Sequence, residues 1–222
     1  AGEDFERYPR TLSADSEKLA AAGCDIVFAP DVAEMYPLPQ TFTVQVADNL
    51  ANDLCGAFRP GHFSGVATVV LKLFNLVQPR VAVFGKKDFQ QLRVIQDLVN
   101  QFNLPIDIVG VDTLREADGL AMSSRNGYLS EAERMQAPQL QRELAAIAAA
   151  VRAGERDFAA LATTARRHLA MAGWRVDYIE LRDAATLQAP TVDSRHMVVL
   201  GAARLGKTRL IDNIEIALGN PL

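Results

Sequence analysis

The sequence predicts an α/β protein: a mostly parallel sheet wrapped by helices, followed by a smaller α+β part. Three observations carry this. Over roughly the first half of the chain, short apolar runs of strand length alternate with helix-like segments, the order that builds parallel sheets. Near residues 112–118 that alternation gives way to helical stretches followed by strand-like ones. The composition, 49% hydrophobic and 23% charged over 222 residues, is that of an ordinary globular chain holding one large or two small domains. The boundary therefore falls after residue 113, giving domains 1–113 and 114–222.

Ser13 is expected to cap a helix that runs to about Ala22, with Asp15 and Glu17 favouring its N-terminal dipole and Gly23 ending it. Residues 25–30 read as a short buried strand, and residues 42–46 alternate like another. Residues 65–77 are apolar almost all round (Val66, Val69, Val70, Leu73, Phe74, Leu76), which predicts a buried helix stopped by Pro79. Val81-Ala82-Val83-Phe84 is a strand, Gly85 turns the chain, residues 89–100 are helix-like and residues 106–111 form the next strand.

Ser130-Glu131-Ala132-Glu133 is a capping box opening a long helix that Gly154 breaks. A second helix follows over residues 157–172, then strands over 176–181 and 197–200 and an alternating stretch over 208–216.

The net charge of −4 argues against broad nucleic-acid binding, which favours a basic balance. No apolar run is long enough to span a bilayer, and no signal-peptide pattern opens the sequence. Cys24 and Cys55 have no metal-type spacing and are expected to be reduced and partly buried, as suits the cytoplasm. His62, His168 and His196 are scattered and form no metal motif.

Two stretches seek phosphate. Gly119-Leu120-Ala121-Met122-Ser123-Ser124-Arg125-Asn126-Gly127-Tyr128 sets two hydroxyls and a guanidinium side by side between glycines. A loop closing on a polyphosphate uses every part of it, since glycines bend, serines donate and Arg grips two oxygens at once. Gly, Ser and Asn are equally ordinary turn residues. The second stretch, Phe84-Gly85-Lys86-Lys87-Asp88-Phe89-Gln90-Gln91-Leu92, lies where a strand ends and a helix begins, the crevice in which open parallel sheets bind ligands. Asp88 and Gln91 are also spaced as a capping box. Two lysines at the positive end of a helix are mildly unfavourable, by about 0.3–1 kcal/mol each, unless an anion sits between them.

Gly201-Ala202-Ala203-Arg204-Leu205-Gly206-Lys207-Thr208 matches the P-loop pattern letter for letter. The residues after it read as a strand rather than the helix a P-loop requires, so Gly206 is assigned to a turn between two strands. Arg59-Pro60-Gly61-His62 contains Gly-His without the His-x-Gly-His of nucleotidyl-transfer enzymes, and reads as a loop feeding the apolar helix.

Together these stretches resemble one family, the pantothenate synthetases or pantoate–β-alanine ligases. The resemblance runs through Arg7-Tyr8-Pro9-Arg10-Thr11-Leu12, Glu34-Met35-Tyr36-Pro37, residues 58–66, residues 84–92, residues 118–126, residues 202–206 and Thr208-Arg209-Leu210-Ile211-Asp212-Asn213. It implies a Rossmann-like nucleotidylyltransferase fold, related to class I aminoacyl-tRNA synthetases, with a smaller C-terminal domain that closes over the site. It implies a cytoplasmic homodimer that uses ATP and Mg²⁺ to turn pantoate into an acyl-adenylate, releases pyrophosphate, and passes the acyl group to β-alanine, with AMP leaving.

Residue by residue, the resemblance puts Gly85, Lys86, Lys87 and Asp88 at ATP. Leu114 lies against the adenine, and Met122, Ser123, Ser124 and Arg125 form a second ATP loop. Gln91 is the pantoate ligand, and Arg59, His62 and Tyr8 are near the substrate pocket. Lys87, Ser123 and Arg125 are the catalytic set, meeting the charge that gathers on phosphate oxygens. Lys86 departs from the family's more frequent Glu. The family also carries His-x-Gly-His and a pantoate glutamine upstream of Arg7, so the resemblance implies a sheet incomplete at its N-terminus and only part of the ATP site. Two other readings of the same residues stay open: a related adenylyltransferase with another acid, and a catalytically silent fragment serving as a dimerisation module.

Overall fold

A computed structural model describes residues 11–219, which pack as two units dividing between Thr43 and Val44. The first carries helix α1 (Leu12–Ala21). Its N-cap is Thr11 rather than Ser13, and the Thr11 hydroxyl donates to the Asp15 carboxylate (3.1 Å) instead of capping a backbone N–H. Gly23, at φ +80°, ends the helix as expected. Residues 25–30 do not form the expected strand: Ile26 is 82% exposed, and no strand among the described residues of this unit offers the segment a ladder. Cys24 is exposed, against expectation, and Cys55 is half-buried; both thiols are free. Helix α2 (Val32–Met35) opens on a capping box. The Asp31 carboxylate accepts from the Glu34 N–H (2.8 Å) and the Glu34 carboxylate from the Asp31 N–H (2.9 Å), which accounts locally for the glutamate of the Glu34-Met35-Tyr36-Pro37 stretch.

In the second unit a short helix α3 (Asp48–Ala51) precedes helix α4 (His62–Val77). The stretch at residues 42–46 is extended but is no strand. Hydroxyls on α4 take the place of a partner strand, with Val44 N–H donating to Thr68 Oγ1 (2.9 Å) and Val46 N–H to Ser64 Oγ (3.2 Å). Helix α4 buries Phe63, Ala67, Val70 and Phe74, while Leu76 and Val77 stay exposed, so it is one-sided rather than buried all round.

Strand β1 (Val81–Gly85), helix α5 (Phe89–Gln101) and strand β2 (Asp107–Val111) make a strand–helix–strand unit whose two strands lie parallel. The register runs from Val81 opposite Asp107 to Gly85 opposite Val111. Alternation puts Ala82, Phe84 and Ile108 on the face covered by Phe74, Ile95, Leu98 and Val99 of the two helices.

The long helix expected after Ser130 is two helices. The Ser130–Glu133 capping box forms and opens α6 (Glu131–Gln136), but Pro138, which cannot donate a helical hydrogen bond, starts a new helix α7 (Gln139–Arg152). Helix α8 (Phe158–Met171) is capped by Asp157, whose carboxylate accepts from Ala160 N–H (2.9 Å). Strands β3 (Arg175–Asp183), β4 (His196–Leu205) and β5 (Thr208–Ala217) form an antiparallel sheet in that order.

The central strand β4 is buried on both faces. Met197, Val199 and Ala203 pack with α7 and α8, while Val198, Leu200 and Ala202 pack with Leu54 and Phe89. Gly201 belongs to the α7 face, where a Cβ would come within 2.9 Å of Ile179 Cδ1 and 3.1 Å of Leu140 Cδ1, so a side chain there would force those side chains to shift. Gly206 is the β4–β5 turn at φ +56°, which confirms that the P-loop-like string is a hairpin.

The predicted α/β architecture with a following α+β part is thus present. Phe89, the first residue of α5, is one of the side chains that join the two parts.

Candidate active site

The crossing from β1 to α5 is open over its backbone: a Cβ on Gly85 would meet nothing within 4 Å. Lys86–Asp88 make one 3-10 turn, and Asp88 is then the N-cap of α5. The Asp88–Gln91 capping box does not form, because the chain enters α5 from that turn rather than from the extended entry seen at Ser130, where ψ is 166°. The Asp88 carboxylate and the half-buried Gln91 amide have no hydrogen-bond partner among the described residues. The neighbouring Gln90 is committed to structure. It is 4% exposed, accepts from Cys55 N–H (3.0 Å) and donates to the Leu50 and Asp53 carbonyls (2.8 and 2.9 Å).

The two lysines differ. The Lys86 ammonium bridges Asp112 (2.8 Å) and Glu215 (2.7 Å), and those bonds raise its pKa above the usual 10.5. The anion argued from paired lysines is therefore unnecessary for Lys86. Lys87 is half-buried, and its ammonium has no hydrogen-bond or ion-pair partner among the described residues. Burial lowers its pKa; Asp88 and Asp212 oppose the shift, and the Arg125 guanidinium adds to it. The cation of the turn and the cation of the Ser-Ser-Arg loop are thus within electrostatic reach of each other.

That loop is a built lobe. Arg115 and Ala121 form an antiparallel bridge, Glu116 N–H donates to Leu120 O (2.8 Å), and Met122 N–H donates to Leu114 O (2.9 Å). Gly119, at φ +90°, supplies its left-handed corner. Arg115 roots the lobe by a bidentate pair with Asp212 (2.7 and 3.0 Å) and by bonds to the Gly119 and Asn213 carbonyls (3.0 and 3.3 Å).

Ser123 then caps the 3-10 turn Ser124–Tyr128, its hydroxyl accepting from Arg125 N–H (3.2 Å). Ser124 is exposed, and Leu114 and Met122 present apolar surface, 71% and 46% exposed. Arg59 and His62 form a pair of their own: the guanidinium donates to His62 Nε2 (2.7 Å), which leaves the ring proton on Nδ1. Tyr8 lies outside the described residues.

Sequence reasoning missed the residues that hold these parts. Arg115, Asp212 and Asn213 carry the lobe and the turn, and the signal available was two consecutive polar residues interrupting the apolar pattern of a predicted strand. Asp212 and Asn213 are 5% and 6% exposed.

A parallel sheet whose strand end opens onto a helix, faced by a second loop bearing Ser and Arg, defines a Rossmann-like nucleotide-binding enzyme. Residues 1–215 match the family model described as pantoate-beta-alanine ligase. The pantothenate synthetase of Thiobacillus denitrificans is 70% identical over 97% of this chain and 76% of its own length. The crystal structure of pantothenate synthetase from Thermus thermophilus superposes with a TM-score of 0.92 at 44% identity, covering 97% of this chain and 78% of that one. A pantoate-beta-alanine ligase from Francisella tularensis, solved as a complex with beta-gamma ATP and beta-alanine, gives 0.76 at 30% identity over 95% and 72%. The chain belongs to the pantoate–β-alanine ligase family.

Proposed function

We propose that this chain joins pantoate to β-alanine using ATP, through a pantoyl-adenylate. The pantoate carboxylate, already ionised, attacks the α-phosphorus of ATP. An oxygen–phosphorus bond forms, the bond to the β-phosphate oxygen breaks, and pyrophosphate leaves. The amine of β-alanine then attacks the acyl carbon, AMP departs from it, and the amine loses a proton. The observation that carries this reading is that β5 holds the Lys87 turn, through Asn213, and the Ser123–Arg125 lobe, through Asp212 and Arg115, at the open strand end, while the Lys87 ammonium has no partner among the described residues.

Two cations on elements held by the same strand, one of them bonded to no carboxylate among the described residues, favour a polyanion, and donors preorganised for developing charge are often worth roughly 10²–10³ in rate. In this reading Lys87, Ser123 and Arg125 meet the phosphate charge, the open backbone at Gly85, Lys86 and Asp88 takes the nucleotide, and Leu114 and Met122 cover the adenine beside Ser124. Gln91, with its free amide, takes pantoate, and Arg59 with His62 borders the substrate pocket. A domain boundary after residue 113, as the sequence leads us to expect, would put the loop at the start of the smaller domain.

Among the described residues no three His, Cys, Asp or Glu are grouped to hold a metal. Mg²⁺ carried on ATP phosphates needs one or two carboxylates at most. Asp88 is the carboxylate available beside Lys87, since Asp212 is held by Arg115. Mg²⁺ bound there would neutralise phosphate charge. The resemblance supports a homodimer in the cytoplasm, and no helix among the described residues is long and apolar enough to cross a membrane.

The test is ATP–pyrophosphate exchange by the natural full-length protein. Exchange dependent on pantoate, and pantothenate formation once β-alanine is added, are expected. Exchange that runs without pantoate, or equally with other hydroxy acids, overturns the substrate assignment.

A further inference from the structure

We infer that Asn213 is a positioning residue that sets the turn bearing Lys87 against the lobe bearing Arg125. The inference rests on the proposed ATP site.

Asn213 lies on β5, and its side-chain amide donates to two consecutive carbonyls, Lys86 O (2.8 Å) and Lys87 O (2.9 Å). Each peptide unit is planar and trans, so its C=O and the N–H that follows point in opposite directions. With both carbonyls drawn to one amide, the N–H groups of Lys87 and Asp88 are aimed to the far side of the turn from Asn213. One amide therefore fixes the orientation of two successive peptide planes at the open strand end, and with them the direction from which the Lys87 side chain starts.

The same residue is tied to the other element. Its carbonyl accepts from Arg115 (3.3 Å), and its N–H is held by the Asp212 carboxylate (2.8 Å) that grips Arg115 on both oxygens. Asp212 and Asn213 are thus a crossbar: one holds the root of the lobe, the other holds the turn, and consecutive residues on a strand leave little play between them. Glu215, two positions further along β5, adds a third tie through Lys86 (2.7 Å).

Asn213→Ala in the full-length protein tests this. Misplacement of reacting groups by an ångström costs on the order of 10²-fold, and kcat/KM for ATP in pantoate-dependent exchange is expected to fall about that much. The thermal midpoint is expected to drop by only roughly 2–8 °C. Asn213→Ser, which keeps one donor, should recover part of the rate. A rate within about threefold of wild type in Asn213→Ala overturns the inference, and so does loss of folding in both variants, which would make Asn213 a stability residue only. Lys87→Ala run alongside separates the two levels. If it keeps wild-type exchange, the ATP-site reading fails; if it loses exchange while Asn213→Ala does not, only the positioning role fails.

Discussion

On one side of the turn at residues 86–88, the Lys86 ammonium closes a web between the ends of β1, β2 and β5 through Asp112 and Glu215. On the other side, the Lys87 ammonium is half-buried and bonded to nothing among the described residues. The two residues have the same chemistry and adjacent positions, yet one is satisfied and the other is held in reserve. A charge that the fold itself neutralises is scaffold. A charge that the fold buries without a partner is destabilising by itself, and persists because something else meets it. The backbone at Lys86 faces the open strand end, and its side chain has been turned to a structural use.

The largest effect expected from this contrast is on Lys87. In the full-length protein Lys87→Ala should lower exchange by about 10²–10³ while leaving the fold intact, because it removes a charge aimed at developing phosphate charge. Lys86→Ala should change exchange by less than about tenfold, its cost being the loss of surface ion pairs of the kind worth little. Steady-state exchange kinetics with thermal melting distinguish them. Equal losses in the two variants would dissolve the contrast between scaffold and site.

On exchange, the next largest effect is expected from Arg115→Ala. The Asp212 carboxylate, whose side chain is 4% exposed, would be left buried without its bidentate partner. Removing one member of a buried pair costs about 3–5 kcal/mol, which urea unfolding measures. Exchange should fall as well, since Ser123 and Arg125 lose the root of their lobe. Adding Asp212→Asn should recover much of the stability, because no unpaired charge then remains, and should recover little of the exchange rate.

The parts of this site that speak in the sequence are those with local signatures. Glycine at a strand end, lysines at a helix start and a Ser-Ser-Arg string between glycines all advertise themselves over a short stretch. The capping boxes at Asp31 and Ser130 are of the same kind, although the first opens a helix too short to show a periodic pattern, and the equally plausible spacing at Asp88 and Gln91 does not close. What the sequence withheld is what depends on partners far along the chain. The bond of Asn213 to Lys86 spans 127 positions and that of Arg115 to Asp212 spans 97, and nothing local to either residue announces the other. Residues 25–30 failed for the converse reason: an apolar run has strand propensity, but a strand exists only where a neighbour completes its hydrogen bonds. Pro138 is visible in the sequence, but the Ala-Leu pattern continues across it and hides the break.

The smallest effect expected is a pair of opposite pH slopes at Lys87. Burial first, and Arg125 after it, hold its pKa in the folded protein below the ordinary 10.5. Between that lowered value and 10.5 the unfolded chain carries a proton that the folded chain has lost, so the unfolded state binds more protons and this residue's contribution to stability rises with pH. Adenylation needs the ammonium, so exchange falls over the same window. Arg125→Gln removes a positive neighbour, raises the Lys87 pKa and moves both limbs to higher pH. Bound ATP acts in the same direction, so the alkaline limb of kcat should lie above that of kcat/KM. Exchange rates and urea-unfolding free energies measured across the alkaline range, each taken relative to Lys87→Ala, check the signs. Rates and stabilities that fall together relative to that variant would mean that Lys87 is paired in the folded protein after all, and would place it on the same footing as Lys86.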